Sequence, residues 1–214
     1  MNGALRGRIR RALSRQLGHP TGALGTVVMR RLNRVNRVAI EAAVDALELE
    51  GGETVADIGF GGGVGLDLLL DRVGPTGHVH GVDPSASAVA TARKRRAVAV
   101  QRGRLSLTEA GMADLPFADS ALDAWISLNT IYFVDDLVRP FAELRRVLAT
   151  AHRGVLGLMD PAWMAEQAFT EQGFIVRPVT QVVEYLQAAG LAVEERTVAG
   201  DDRGVRLLIC RPYA

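Results

Sequence analysis

From about Val55 onward, short apolar runs alternate with stretches of helical spacing along most of the chain. The first run, Thr54 to Ile58, leads through a glycine-rich stretch into the apolar helix Leu66 to Leu70. Gly74-Pro75-Thr76-Gly77 stops that helix. The second run, His78 to Val82, ends on Asp83, and Ser85 then offers an N-cap for a helix reaching about Arg96. The last turn of this helix carries Arg93, Lys94, Arg95 and Arg96, where cations suit the helix dipole. Leu105 to Thr108 alternates with period two, and Leu122 to Leu128 is a longer apolar run. Leu137, Phe141, Leu144 and Leu148 share a helix face, and Gly154 to Met159 reads as a fifth strand. Val182, Val183, Leu186 and Ala189 mark a further helix that Gly190 stops. The chain then runs from Ala192 to Val198, turns over residues 200–204, and returns from Val205 to Cys210. Strands joined by so short a turn are antiparallel. The pattern predicts a mostly parallel sheet with helices on both faces, finished by an antiparallel hairpin.

The first 50 residues follow another rule. Leu5, Ile9, Leu13 and Leu17 form one helical stripe among Arg6, Arg8, Arg10, Arg11 and Arg15, and Gly18-His19-Pro20 breaks it. A longer helix follows, with Val28, Leu32, Val35, Ala39, Ala42 and Ala46 spaced by fours and threes. Residues 1–50 are therefore expected to form a helical cap on a domain spanning 51–214. The basic helix has three readings: a lid over the site, a homodimer contact, or a helix on a membrane surface. The lid is favoured, because an open sheet edge needs something to exclude water.

Composition narrows the class. Hydrophobic residues make up 48% and charged residues 23%, and the net charge is +1, so no global bias toward nucleic acid is visible. No apolar run is long enough to span a bilayer, and no apolar stretch suited to a signal peptide follows the N-terminal arginines. A cytoplasmic protein is expected. The single cysteine, Cys210, leaves no internal disulfide and no cysteine-built metal site, and no metal is expected. Lys94 is the only lysine, which points to a GC-rich bacterial genome rather than to chemistry.

The informative segment is Val55-Ala56-Asp57-Ile58-Gly59-Phe60-Gly61-Gly62-Gly63-Val64-Gly65. Glycines at a strand-to-helix turn let the backbone approach a ligand closely. Dinucleotide binders favour G-x-G-x-x-G, and no register here places glycine at all three positions. The pattern D-x-G-x-G-x-G fits instead, as Asp57, Gly59, Gly61 and Gly63. With Asp83 ending the second strand, and Ala113-Asp114-Leu115-Pro116-Phe117 followed by Asp123, the sequence resembles the class I S-adenosylmethionine-dependent methyltransferases, in particular their small-molecule and quinone members. The resemblance runs from about Glu53 to Pro212 and implies a Rossmann-like, seven-stranded sheet whose last strand is antiparallel. It implies S-adenosylmethionine as cofactor and S-adenosylhomocysteine as product. The methionine moiety would lie beside Gly59 and Gly61, with Asp57 assisting its ammonium, and Asp83 would accept from the ribose hydroxyls. Phe60, Gly63 and Pro84 would complete that wall, and the adenine would lie near Met112 and Ala113. Three departures stand out: Gly111 where many relatives carry an acidic residue, Leu122 for a phenylalanine, and no Pro-Gly before strand five.

Several subclasses drop out. Ser127-Leu128-Asn129-Thr130 lacks the two prolines of the enzymes that methylate exocyclic amines of DNA bases. Cytosine C5 and arsenite methylation need reactive cysteines, and Cys210 reads as core. A small, apolar metabolite methylated at O, N or C remains, with no nucleic acid partner. The rivals are a cyclisation or isomerisation on the same fold, and a lipid or quinone methyltransferase at the membrane surface. Asn129 and Tyr132, after the fourth strand, are the candidates for catalysis, Asn129 also as a cofactor contact. Asp160 before Pro161 reads as a helix cap, and His152 is expected at the opposite sheet edge.

Overall fold

A computed structural model of the chain describes residues 36–166, 174–201 and 203–213. The basic stripe of Leu5, Ile9, Leu13 and Leu17 lies outside the described residues. The expected longer N-terminal helix is described over residues 36–46 alone, as α1, which buries Ala39, Ala43, Val44 and Ala46 in the same core as the sheet.

Seven strands form one sheet in the order β3-β2-β1-β4-β5-β7-β6. They are β1 (Thr54–Ile58), β2 (His78–Asp83), β3 (Leu105–Glu109), β4 (Leu122–Leu128), β5 (Leu148–Leu158), β6 (Leu191–Thr197) and β7 (Arg206–Pro212). The first five pair in parallel, and β7 runs antiparallel to both β5 and β6. The helices after α1 are α2 (Val64–Arg72), α3 (Ala86–Arg95), α4 (Ala97–Gln101), α5 (Val138–Val147), α6 (Pro161–Ala165) and α7 (Val179–Ala188). The chain leaves β1 through α2 and α3 toward β3, and leaves β4 through α5 toward β5, in the opposite direction across the sheet. Right-handed crossovers then put α2 and α3 on one face and α5 on the other. The direction reverses between β1 and β4, and a crevice opens beyond their C-terminal ends at such a reversal.

Most expected elements stand within a residue or two of their sequence positions. Ser85 caps α3, its side chain accepting from the Ala88 amide at 3.3 Å. The expected single helix to Arg96 breaks there, and the short α4 follows with no buried residue. The larger departure is β5, which begins at Leu148 rather than near Gly154. While β4 advances from Leu122 to Ala124, its partner advances from Leu148 to Arg153, so the strand enters through a bulge where the breaker is missing. Leu122 itself is fully buried.

His152 and Asp123 mark the N-terminal edge of the sheet. Asp123 accepts from the Thr54 amide at 2.8 Å, and His152 Nε2 stands 3.4 Å from its other oxygen. His152 is remote from the crevice. At the C-terminal edge, the Asp160 amide donates to the Arg203 carbonyl at 3.4 Å, and the Arg203 guanidinium donates to the Asn36 side chain at 2.6 Å. Asn36 therefore lies on the crevice side of the molecule.

Candidate functional site

The loop from Gly59 to Gly63 turns the chain from β1 into α2, and its three expected glycines all have positive φ: 77° at Gly59, 49° at Gly61 and 78° at Gly63. At Gly59 a side chain is excluded twice over. The conformation is one that L-residues resist, and a Cβ there would stand 2.2 Å from Thr130 Cγ2. Thr130 is held in place by a 2.7 Å hydrogen bond between its hydroxyl and that of Ser127, which also donates to the Ile58 carbonyl at 2.8 Å. The glycine loop thus packs directly on the first turn after β4, across the reversal point.

Asp57 lies beneath the loop, 5% exposed. A Cβ at Gly65 would stand 2.3 Å from its Oδ2, so the start of α2 closes over the carboxylate only because residue 65 has no side chain. Burial, together with the nearby Asp83 carboxylate, pushes the Asp57 carboxyl up to about 8, against a smaller pull downward from Arg96. Arg96 donates to the Gly63 carbonyl and to both Asp67 oxygens, at 2.7 and 2.6 Å, and so ties the end of the loop to α3. Burial disfavours the charge on this acid, and a cation placed beside it would restore that charge.

Asp83 is 6% exposed and accepts from two backbone amides, Gly61 at 2.8 Å through Oδ2 and Ser85 at 2.9 Å through Oδ1. The pair of amides fixes the carboxylate at the end of β2 and ties it to the glycine loop. Phe60 is buried, with its ring against Gly81 of β2, so only its backbone faces the crevice; Pro84 is exposed at the rim.

Across from β2, Met112 is buried and Ala113 half-buried. A Cβ on Gly111 would meet nothing within 4 Å, so the position where many relatives carry an acidic side chain is open space. Asp114 does not turn inward to replace it. Its side chain is 92% exposed and faces Arg139 at 3.9 Å.

Asn129 follows β4 with φ 58°, a left-handed conformation for a non-glycine residue, and its amide extends the ladder to the Gly157 carbonyl at 2.8 Å. Its Oδ1 is buried without a hydrogen-bond partner. Such local strain at a strand end concentrates at binding sites. Tyr132 lies in the 3-10 turn Ile131–Phe133 and is 3% exposed. Its hydroxyl accepts the Met159 amide at 2.7 Å, and burial pushes its phenol well above the ordinary tyrosine range. Phe174 packs on Tyr132 with ring centroids 6.0 Å apart and on the exposed Phe133 at 4.9 Å. Arg177 holds this segment by donating to the carbonyls of Ile131, Val134 and Asp135 at 2.7 to 3.1 Å. Asp160 caps α6, accepting from the Ala162 and Trp163 amides, and pairs with Arg206 at 3.1 Å.

The residues named from sequence thus converge at one crevice: the loop at Gly59 to Gly63, Asp57, Asp83, Met112, Ala113 and Asn129. Gly65, Thr130 and Arg96 belong with them and were not singled out. Gly65 continues the alternate-glycine spacing by one step, which was the available signal; nothing local marks Thr130 or Arg96. Among the described residues, no group of three or more His, Cys, Asp or Glu could hold a metal ion, and no helix is long and apolar enough to cross a membrane.

Residues 55–151 match the family model described as a methyltransferase domain. The 2-phytyl-1,4-naphtoquinone methyltransferase of Trichormus variabilis is 37% identical over 113 residues, which is 53% of this chain and 49% of that one. Its counterpart in Nostoc punctiforme is 32% identical over 152 residues, covering 71% of this chain and 66% of that one. The chain thus spans between about half and two thirds of the length of these two relatives. The solved structure of a SAM-dependent methyltransferase from Aquifex aeolicus superposes with a TM-score of 0.71 at 19% identity, covering 85% of this chain and 95% of that one, which shows a shared fold. With its strand order, its D-x-G-x-G-x-G loop and these relatives, the chain belongs to the class I S-adenosylmethionine-dependent methyltransferases.

Proposed function

We propose that this protein transfers the methyl group of S-adenosylmethionine to a small, apolar, aromatic metabolite. The observation that carries this reading is the pairing, at one sheet edge, of a cofactor cradle with an aromatic wall of Tyr132, Phe133 and Phe174. The cradle fits the cofactor on its own evidence: a loop held in the left-handed region at Gly59, Gly61 and Gly63, a buried Asp57 carboxyl, and an orphaned Asn129 oxygen. Asp57 would meet the ammonium, the Asp83 carboxylate would accept from the ribose hydroxyls, and Met112 and Ala113 would flank the adenine. Pro84 bounds the ribose at the rim. The bound cofactor supplies a methyl group on a sulfonium, which is open to in-line attack.

The protein's part is mainly to align the acceptor and exclude water. Tyr132 is a positioning residue in this reading, because its buried hydroxyl is engaged by Met159 and resists ionisation. Asp160 is committed to its helix cap and to Arg206. An acceptor that ionises by its own acidity, such as an aromatic hydroxyl, suits such a site, and the naphthoquinone methyltransferases among the relatives support an apolar, aromatic substrate. Incubation with methyl-labelled cofactor and a panel of aromatic hydroxyl compounds, aliphatic amines and oligonucleotides should label the aromatic set alone. Label in the oligonucleotides, or an acceptor rearranged without label, would overturn the reading.

The assignment of Asp83 has its own test. Asp83→Ala should weaken S-adenosylhomocysteine binding by about 10- to 100-fold, the scale of hydrogen bonds to a charged group, in a protein that still folds. Unchanged affinity by calorimetry would move the ribose elsewhere.

A further inference from the structure

Arg146 stands in the last turn of α5, away from every residue assigned to the cofactor, yet its guanidinium is fully engaged. Nε donates to Glu143 Oε1 at 2.7 Å. Nη1 donates to the Phe117 carbonyl at 2.7 Å and to Asp119 at 2.9 Å. Nη2 donates to the Leu115 carbonyl at 3.2 Å and to Glu143 Oε2 at 2.8 Å. An arginine has five N–H donors, and these contacts use the whole fork. Glu143 Oε2 also accepts the Leu115 amide at 2.9 Å, and the Arg146 carbonyl accepts the Ser120 amide at 2.8 Å. One helix therefore grips residues 115 to 120 at both ends and in the middle. That loop begins two residues after Ala113, and a 3.2 Å hydrogen bond from the Asp114 amide to the Gly111 carbonyl makes the turn between them.

We propose that Arg146, braced by Glu143, is a positioning residue that sets the adenine wall of the cofactor site at Met112 and Ala113. The role rests on the adenine lying there, as the proposed function has it. The carbonyls of buried Leu115 and of Phe117 find their partners on the Arg146 side chain, and the Leu115 amide finds its partner on Glu143, so the loop has a single seat. Lysine could keep the charge but offers three donors from a point, with no planar fork to match five acceptors.

A purely structural arginine would behave differently: its loss would lower the melting temperature and leave affinity untouched in the folded protein. The test is calorimetry with S-adenosylhomocysteine and with 5′-methylthioadenosine, which keeps the adenosine and lacks the ammonium. Arg146→Met should weaken both ligands by about tenfold, the scale of one or two lost hydrogen bonds to a charged group. Amide exchange should quicken over residues 111–120 and stay unchanged over 54–58. Asp57→Asn, by contrast, should weaken the first ligand and spare the second. If Arg146→Met does not fold, Arg146→Lys takes its place, with a loss of about threefold or more. Wild-type affinity for both ligands in either folded variant, however far its melting temperature falls, overturns the role. Failure of the wild type itself to bind either ligand would instead remove the cofactor reading, and this role with it.

Discussion

Binding of S-adenosylhomocysteine should release close to one proton below pH 7, and its affinity should rise by about tenfold per pH unit until the pH approaches 8. Asp57 is the reason. Its carboxyl is pushed up to about 8 by burial and by Asp83, so the free protein holds it protonated at neutral pH. A ligand ammonium placed beside it favours the anion, and the proton must leave as the ligand enters. Titrations in buffers of different ionisation enthalpy measure that proton directly. Asp57→Asn should abolish both the release and the pH dependence, and at pH 8 should bind about 10- to 100-fold more weakly, as expected for a lost charge-assisted hydrogen bond. 5′-Methylthioadenosine, which has no ammonium, should show no such dependence with either protein. Stability carries the same signature. A group raised in the folded state stabilises fully below its unfolded value, near 3.8, and that contribution is lost as pH rises through about 8. The ligand-free Asp57→Asn variant should therefore melt above wild type, by a margin that widens from pH 5 to pH 9. A margin that widens as expected, with binding unaffected by pH, would place the ammonium away from Asp57, and a constant margin would mean that burial does not raise its carboxyl.

Gly59→Ala should all but abolish cofactor binding while the sheet survives. The added Cβ meets Thr130 Cγ2 at 2.2 Å, and φ of 77° costs an L-residue about 1 to 2 kcal/mol before any contact is counted. Thr130 cannot simply rotate away, because its χ1 is stiff and its hydroxyl is bonded to Ser127. The loop must lift off the turn after β4, and the backbone proposed to face the methionine moiety lifts with it. A drop of about 1 to 3 kcal/mol in stability is expected from the strain, with an affinity loss beyond about 100-fold from the displaced loop. Adding Thr130→Ser removes Cγ2 and keeps the hydroxyl, so the double variant should recover part of the affinity and not all of it. Gly59→Ala binding as tightly as wild type would mean that the loop does not touch the ligand.

How far the sequence reveals this protein depends on where each signal lies along the chain. The strands β1 to β4 are continuous apolar or alternating runs between strong breakers, and each was legible. Ser85 was legible as a cap because its partner, the Ala88 amide, is three residues away. The start of β5 was not, since Leu148 fits the apolar face of the preceding helix and only pairing with Leu122 makes it a strand. Helix α4 buries nothing, so it leaves no periodic trace. The same holds at the site. Asp57, the glycines and Asp83 form a local pattern that spacing reveals. The strained backbone of Asn129, the seat of Thr130 on Gly59 and the reach of Arg146 across 31 residues to Leu115 depend on tertiary contacts that no local pattern records. Asp114 shows the converse hazard. It sits next to Met112 and Ala113 in sequence, yet its side chain points into solvent.

The most direct measurement is a calorimetric titration of the full chain with S-adenosylhomocysteine and, separately, with NAD. A loop in the D-x-G-x-G-x-G register, closed over a buried acid that awaits an ammonium, should bind S-adenosylhomocysteine with micromolar affinity, roughly −8 kcal/mol, and should not bind NAD. Preference for NAD, or no heat with either ligand, would contradict the reading of this crevice as an S-adenosylmethionine site.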